Sequence, residues 1–589
     1  MSKILIGSDI EKVEMLKNHF IKYGFEKYSH YTGDGISTYC FKKLKIDNSN
    51  FIEIGSDFVA TSGTLIYRKV IGKDALEKIY KDFVKGIDYI RKNAVGNYCL
   101  VIKKDGILYI VTDENAIHNI YYYNDNDWMI TNTFYHLAKV IDNVSVNQLE
   151  MLEYSFQYGI IGNKTPYKKI YKLMGEEYIK VDLSNNNFSI NKINTEEDRV
   201  KTTDNSSKSI AKMLEEQAQI ISNNFSKVTV SMTGGLDSRI IMAALLKNGV
   251  KPQIVYGVGN SPLTNTKNKD LEINKMYADK FNLEFKPMNW KTNEPIEEYW
   301  DYSLQKYGEL FTVYAGNQNV YDEFEKNIDF DYITFGYFGE LMRNADLIEP
   351  LQSDFFNINQ FVDLYINDDI PIEKDLKEKL YENILEKYTE ICKIEKIDAL
   401  KIHKDKATRI HSHYRKRADV QLCNLSNIYA SSTIMLSEEN LFESILNIKY
   451  NDKGNAKYML QVMYELYPEI LDIPFFSHCR DCIFNLETFE LDNVQSKNKI
   501  IQELKKYINK TRYAKIIKKL YSHTLKVDEK DTLQNKKNKE IKIQFINYLK
   551  EQNDPLINID NFSGDVRALA RYSQLVFMNN SLKRIERSK

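Results

Sequence analysis

The chain has 589 residues, 43% of them hydrophobic and 28% charged, with a formal net charge of −1. That length calls for two to four domains, the composition supports packed cores and excludes global disorder, and the charge balance gives no overall electrostatic case for nucleic acid. Six cysteines are no disulfide scaffold, apolar runs fall far short of a membrane span, and Met1 to Asp9 reads as a short strand instead of a signal peptide, so a reducing cytoplasm is expected.

Residues 1–194 read as an antiparallel α+β domain. Lys3 to Ile6 and Phe58 to Tyr67 have strand character, and Asp74 to Gly86 puts Leu76, Ile79, Tyr80 and Phe83 on one helical stripe. Tyr98 to Ile102 and Ile107 to Thr112 flank Lys104, Asp105 and Gly106, a hairpin signal. Ile120 to Tyr123 and Met129 to Thr131 are further strands. Residues 195–207 are polar and aperiodic, a linker.

A helix from Lys208 to Asn223 opens a second domain, residues 208–483. Strands then alternate with helices. A strand runs into Ser231, a second spans Gln253 to Gly257, a helix covers Asp270 to Phe281, and further strands start at Leu283 and end at Phe335 and Gly336. Such alternation argues for a parallel sheet covered on both faces. Residues 484–589 are expected to form a basic helical extension, with Lys505, Lys506, Lys510, Arg512, Lys515, Lys518 and Lys519 on solvated faces of packed helices.

The chemistry concentrates between Val228 and Met242. A β-branched run breaks at Gly234 and Gly235, where backbone can approach a ligand closely. It resumes as a helix carrying Ile240, Ile241, Ala244 and Leu245 on one face. A strand, a glycine turn and a helix N-terminus make an anion site of backbone N–H groups and helix dipole. Thr233 and Ser238 add hydroxyls. Asp237 would repel a phosphate, but it suits a magnesium ion carried in with one.

This loop resembles the pyrophosphate loop of ATP pyrophosphatases, usually written Ser-Gly-Gly-x-Asp-Ser, with Thr233 in place of the first serine. That resemblance implies an ATP site built from Ser231, Thr233, Gly234, Gly235, Asp237 and Ser238. Arg239 stands where a second serine often follows. It either contacts phosphate or substrate or lies on the helix surface, and it counts among the candidate catalytic residues. The preceding domain resembles the class II glutamine amidotransferase domain of asparagine synthetases, through Gly96 to Val101, Thr112 to Tyr122, Ser62 to Tyr67 and the closing segment Leu149 to Leu183. The expected fold is thus an Ntn-hydrolase-like antiparallel sandwich, followed by an α/β adenine-nucleotide α-hydrolase-like domain and a helical extension.

The resemblance implies further roles. Gly257 would lie against adenine and ribose through backbone atoms. Gly336 and Glu340 fall where the family carries Ser-Gly-x-Gly-x-Asp-Glu, so Glu340 would bind the metal opposite Asp237. Lys457, in Lys457-Tyr458-Met459-Leu460, would stabilise charge in acyl transfer. The departures are as specific. The family's glutaminase needs an N-terminal cysteine, an asparagine and a glutamate, and this chain has Ser2, Ser62 and Thr64; Ala116 replaces a glycine. The first domain is therefore expected to be a scaffold without glutaminase activity, offering a surface to a partner protein or a second copy. The whole chain is expected to use ATP and Mg2+ to activate a small-molecule or peptide carboxylate and pass it to an amine. The alternatives are asparagine synthesis from ammonia or glutamine, and a nucleotide-binding pseudoenzyme.

Two local clusters carry less. His411 and His413, two apart, face different sides of a helix and argue against a metal pair. The basic run around them through Arg417 is either a solvated face or a contact for an anionic group. Cys479 and Cys482 are a lone pair without the four ligands of a zinc site, and read as plain thiols.

Overall fold

The computed structural model describes residues 2–588 except 194–203, 260–263, 291–295, 309–319, 344–352, 367–370, 419, 478–479, 494–539, 541, 553–555, 558 and 560–565. Cys479 and the basic run from Lys505 to Lys519 lie outside the described residues.

The N-terminal part is two six-stranded antiparallel sheets. In the first, Ile4–Gly7 is central, paired on one side with Ile36–Phe41 and on the other with Trp128–Thr131. In the second, Asp57–Tyr67 and Ala94–Lys104 form a long ladder from Phe58↔Lys103 to Tyr67↔Ala94. Apolar side chains of the two sheets meet between them, among them Ile4, Ile6, Phe58, Ala60, Cys99, Val101, Ile110 and Ile130. Alternating strand faces supply both this interior and an outer layer, where Leu76 and Ile79 of the helix Gly72–Asp82 pack on Val59, Leu65 and Leu100. The helix Ile10–Lys22 was not legible as such in the sequence. Asp9 caps it by accepting from the Lys12 N–H (3.1 Å), and Val13, Leu16 and Phe20 bury one stripe.

The second unit is a five-stranded parallel sheet in the order Phe285–Trp290, Gln253–Gly259, Val228–Ser231, Tyr332–Phe335, Ser431–Thr433. Chain order moves outward from Val228–Ser231 on one side and then returns to fill the other. The order therefore reverses at this central strand, and sheets of this kind bind ligands beyond the carboxyl ends of the strands at such a point. Helix Ser207–Asn224, capped by Ser206, and helix Asp237–Lys247 bury Leu214, Ile221, Ile240 and Ile241 in the same core.

The two units are joined by buried polar contacts. Lys3 Nζ donates to the Tyr307 carbonyl (2.6 Å), and Lys387 reaches both Glu150 and Glu153. The helix Val566–Ser588 docks back on the first unit: Arg571 Nε donates to the Ser155 carbonyl (2.7 Å), with Leu569, Tyr572 and Leu575 buried. No described helix is long and apolar enough to cross a membrane.

Candidate active site at the sheet switch point

The loop Met232–Leu236 leaves the central strand and turns into helix Asp237–Lys247. Ser238 Oγ accepts from the Thr233 N–H (3.0 Å), and the two hydroxyls lie 3.3 Å apart. The helix begins at Leu236 with no side-chain cap, so no side chain competes for its first N–H groups. Thr233 is exposed, Gly235 and Asp237 half-buried, and Gly234, Ser238 and Arg239 buried. The loop thus turns one rim to solvent and anchors the other in the core.

Asp270 fixes that anchor. Its Oδ1 accepts from the Gly234 N–H (2.7 Å) and its Oδ2 accepts from the Tyr256 hydroxyl (2.8 Å). A Cβ on Gly234 would stand 2.7 Å from Ile273 Cδ1 and 2.9 Å from Asp270 Oδ1, so a larger residue here would push on both side chains. The sequence places Asp270 on a helix and gives no sign of this role, because the contact spans two elements.

The adjacent strand Tyr332–Phe335 brings the second half. A Cβ on Gly336 would lie 2.3 Å from Ser238 N, and one on Gly339 would lie 2.6 Å from Asp237 Cβ. The turn after this strand is therefore flush against the loop. Phe338 adopts a left-handed φ of 73° there, and Glu340 follows in the short helix Gly339–Met342. Glu340 is close enough for its charge to act on Asp237. Burial raises the Asp237 carboxyl above its usual range, Arg343 opposes the rise and Glu340 adds to it. Among the described residues no three metal-ligating side chains converge. Two carboxylates on neighbouring strand ends still fit magnesium, which fills its other positions with phosphate and water.

Sequence reasoning misses two arginines here. Arg343 Nε and Nη2 donate to Asp237 Oδ1 and Oδ2, both at 3.3 Å, and Arg415 Nε donates to Glu340 Oε1 at 2.5 Å. Arg415 belongs to the basic run already noted, on helix Lys404–Ala418. That helix separates the histidines as expected: His411 meets the Tyr365 hydroxyl and His413 Nε2 meets Glu395 Oε1 (2.7 Å). Arg343 has no distinguishing context in sequence.

Two further candidates stand on other elements. Gly257 pairs with Met288, two residues beyond the Val255 that faces Ser231. Lys457 opens helix Lys457–Leu466 and is exposed. The inward lysine of that region is Lys453, whose Nζ donates to Thr408 Oγ1 (3.0 Å) and whose burial lowers its pKa to about 7.

Arg239 is a correction. It neither faces a ligand nor lies on the helix surface. Fully buried, it donates to the carbonyls of Ile473 (2.6 Å) and Pro474 (2.7 Å) and stacks 3.4 Å from the Phe475 ring centroid. The neighbouring Phe476 N–H reaches the Gly234 carbonyl (3.0 Å). Arg239 thus fixes the segment that backs the loop, and it is enclosed because the helix is buried on every side from Ser238 to Leu245.

Ser2 and Thr64 help to hold the two units together, and Ser62 packs within the first. Thr64 Oγ1 donates to Asn427 Oδ1 (2.7 Å) and accepts from the Ser432 N–H (2.9 Å). Lys43 Nζ donates to the same Asn427 oxygen (2.8 Å), and burial lowers its pKa to about 7. Ser62 Oγ lies 2.9 Å from Nε2 of His118, which burial pushes well below the usual range. Ser2 is 2% exposed; its N–H donates to the Asn427 carbonyl (2.9 Å), and its Oγ accepts from the Gly63 N–H (3.2 Å). A cavity bounded in part by Ser2, Gly63 and Thr64 holds about 40 Å3, room for water and not for an amino acid. Ala116 adopts a left-handed φ of 48°, a region that favours glycine.

The architecture is that of a two-unit α/β protein: an antiparallel sandwich joined to a parallel-sheet domain with a loop-and-carboxylate site at its switch point. No family model matches the chain, and no curated protein matches it. Among solved structures it is similar to glutamine phosphoribosylpyrophosphate amidotransferase from B. subtilis complexed with ADP and GMP, at 6% identity and a TM-score of 0.23, covering 56% of this chain and 74% of that one. A structure described as the allosteric regulatory enzyme of purine biosynthesis aligns at 6% identity and a TM-score of 0.22, over 59% of this chain and 76% of that one. Superpositions this loose leave the functional reading to the chain's own side chains.

Proposed function

We propose that the protein is an ATP-dependent, AMP-forming carbon–nitrogen ligase of the asparagine synthetase type, acting without glutamine hydrolysis. The observation that carries the reading is the uncapped helix N-terminus at Asp237, facing Glu340 across a turn that only Gly336 and Gly339 allow. Backbone N–H groups of Gly235 and the first helical turn would hold the β- and γ-phosphates. Asp237 and Glu340 would hold Mg2+, which neutralises charge on the leaving pyrophosphate.

The chemistry follows from that placement. A substrate carboxylate oxygen attacks the α-phosphorus, the α–β bridging bond breaks, and pyrophosphate leaves with the bond's electron pair. An amine nitrogen then attacks the acyl carbon, loses its proton, and AMP departs. Lys457, exposed at its helix head, is the ammonium proposed to offset charge in this second step. The amine would be free ammonia or an amine on a substrate. Thr64 is engaged by Asn427 and Ser432, and Ser2 is buried beside a cavity too small for glutamine, which supports a scaffold role for the first unit. The test is exchange of labelled pyrophosphate into ATP, screened over candidate acids with AMP measured alongside. Exchange that depends on an acid and vanishes in Asp237→Asn is expected. Phosphate and ADP as products, or no acid-dependent exchange with nucleotide still bound, would leave a nucleotide-binding protein that is no ligase.

A further inference from the structure

Arg343 and Arg415 reach the site from different elements. Arg343 follows the short helix that carries Glu340, and Arg415 stands in the last turn of helix Lys404–Ala418. Their side chains are 24% and 25% exposed, so both ion pairs are partly withdrawn from water. The fork of Arg343 faces both oxygens of Asp237, and Arg415 takes Oε1 of Glu340. Two carboxylates and two guanidiniums cancel in charge. A divalent cation at these carboxylates competes with both arginines for the same oxygens, and magnesium needs a near-ideal octahedral shell that leaves little room to share them.

Each guanidinium so displaced loses its carboxylate at a partly buried site. Resting on the magnesium–nucleotide reading above, we propose that Arg343 and Arg415 exchange partners with the metal. Magnesium takes Asp237 and Glu340, and the two guanidiniums move onto non-bridging oxygens of the triphosphate, then of the pyrophosphate. Arginine suits that second partner, because its planar fork matches phosphate oxygens as it matches carboxylate. The exchange makes the site selective. A metal arriving alone breaks two ion pairs and brings no anion in exchange, whereas a metal arriving with a triphosphate supplies one. Arg343 and Arg415 are thus specificity-determining residues for the metal–nucleotide complex over the free cation.

The test is Mn2+ titration of the full chain followed by electron paramagnetic resonance, with Mn2+ alone and with Mn2+ plus ATP. Arg343→Gln and Arg415→Gln should each tighten Mn2+ alone, on the order of tenfold for loss of one charged hydrogen-bonding competitor, and weaken the Mn2+–ATP complex by a similar factor. Opposite signs are the signature, since a residue that only supports the fold would weaken both. Arg343→Lys and Arg415→Lys keep the charge without the fork and should shift both affinities the same ways by less; they decide the matter if the glutamine variants do not fold. Mn2+ alone bound no tighter in the folded variants overturns the exchange. Asp237→Asn serves as a separate control: unchanged Mn2+–ATP binding there removes the metal site itself, and with it the underlying reading.

Discussion

Arg239 decides whether the residue after the loop acts in chemistry or in structure. In Arg239→Met the carbonyls of Ile473 and Pro474 lose their donors, and the Phe475 ring loses its cation. Each lost bond to a charged donor is worth ~1.5–3 kcal/mol, and a carbonyl left buried without a partner costs a further ~1–3 kcal/mol. Stacking adds about 2 kcal/mol in a desolvated setting. Against this stands the cost of burying the guanidinium, which lowers its pKa to about 10. Taken together, removing one side of such a buried charged contact costs roughly 3–5 kcal/mol. At ~2–4 °C per kcal/mol for a domain of about 200 residues, that is a fall of roughly 10 °C in Tm. Arg239→Lys, which cannot fork between two carbonyls, should lose about half as much. The assay is calorimetry of the full chain, with pyrophosphate exchange measured well below the transition, where the folded fraction should retain activity. A lysine variant with unchanged Tm and abolished exchange would refute the structural assignment.

Gly339→Ala should cut pyrophosphate exchange by on the order of a hundredfold, because its Cβ would stand 2.6 Å from Asp237 Cβ and displace the metal carboxylate; normal exchange would separate the turn from the loop. Lys453 has a folded pKa of about 7 against a usual 10.5. The unfolded chain therefore binds more protons between those values, and stability rises with pH across the window. Lys453→Met should then raise Tm most at pH 7 and below, with the gain fading towards pH 10; a gain independent of pH would place the ammonium in water. Ser2→Ala should leave product formation unchanged, and the purified protein should release no glutamate from glutamine above background. Glutamate appearing in step with AMP, and stopped by Ser2→Ala, would make the first unit a working glutaminase.

The sequence carries whatever a local pattern can hold. Period-two and helical stripes locate the strands around Lys104 to Ile107 and the helix after Asp237, and both appear with the expected pairing and burial. The glycine loop and its carboxylate are visible because strand, turn and helix lie within a dozen residues. The first helix is missed because Ile10–Lys22 mixes charges along its apolar stripe and leaves Ile10 and Met15 exposed. What stays hidden is contact across elements. Asp270 reaches Gly234 over 36 residues and Arg343 reaches Asp237 over 106. Arg239 misleads for the opposite reason: its neighbours in sequence belong to the loop, whereas its neighbours in space are the carbonyls before Phe475.

The joint at Asn427 limits which side chains residue 64 can carry. Thr64, Lys43 and the Ser432 N–H share one amide oxygen, and Asn427 Nδ2 donates onward to the Ser432 carbonyl (3.0 Å). A carboxylate at residue 64 would face that oxygen and drive out the hydroxyl that bridges the two units. An acid there would weaken the seam unless Asn427 changed with it. Residue 64 thus answers to two units at once, and any side chain placed there must serve the seam first.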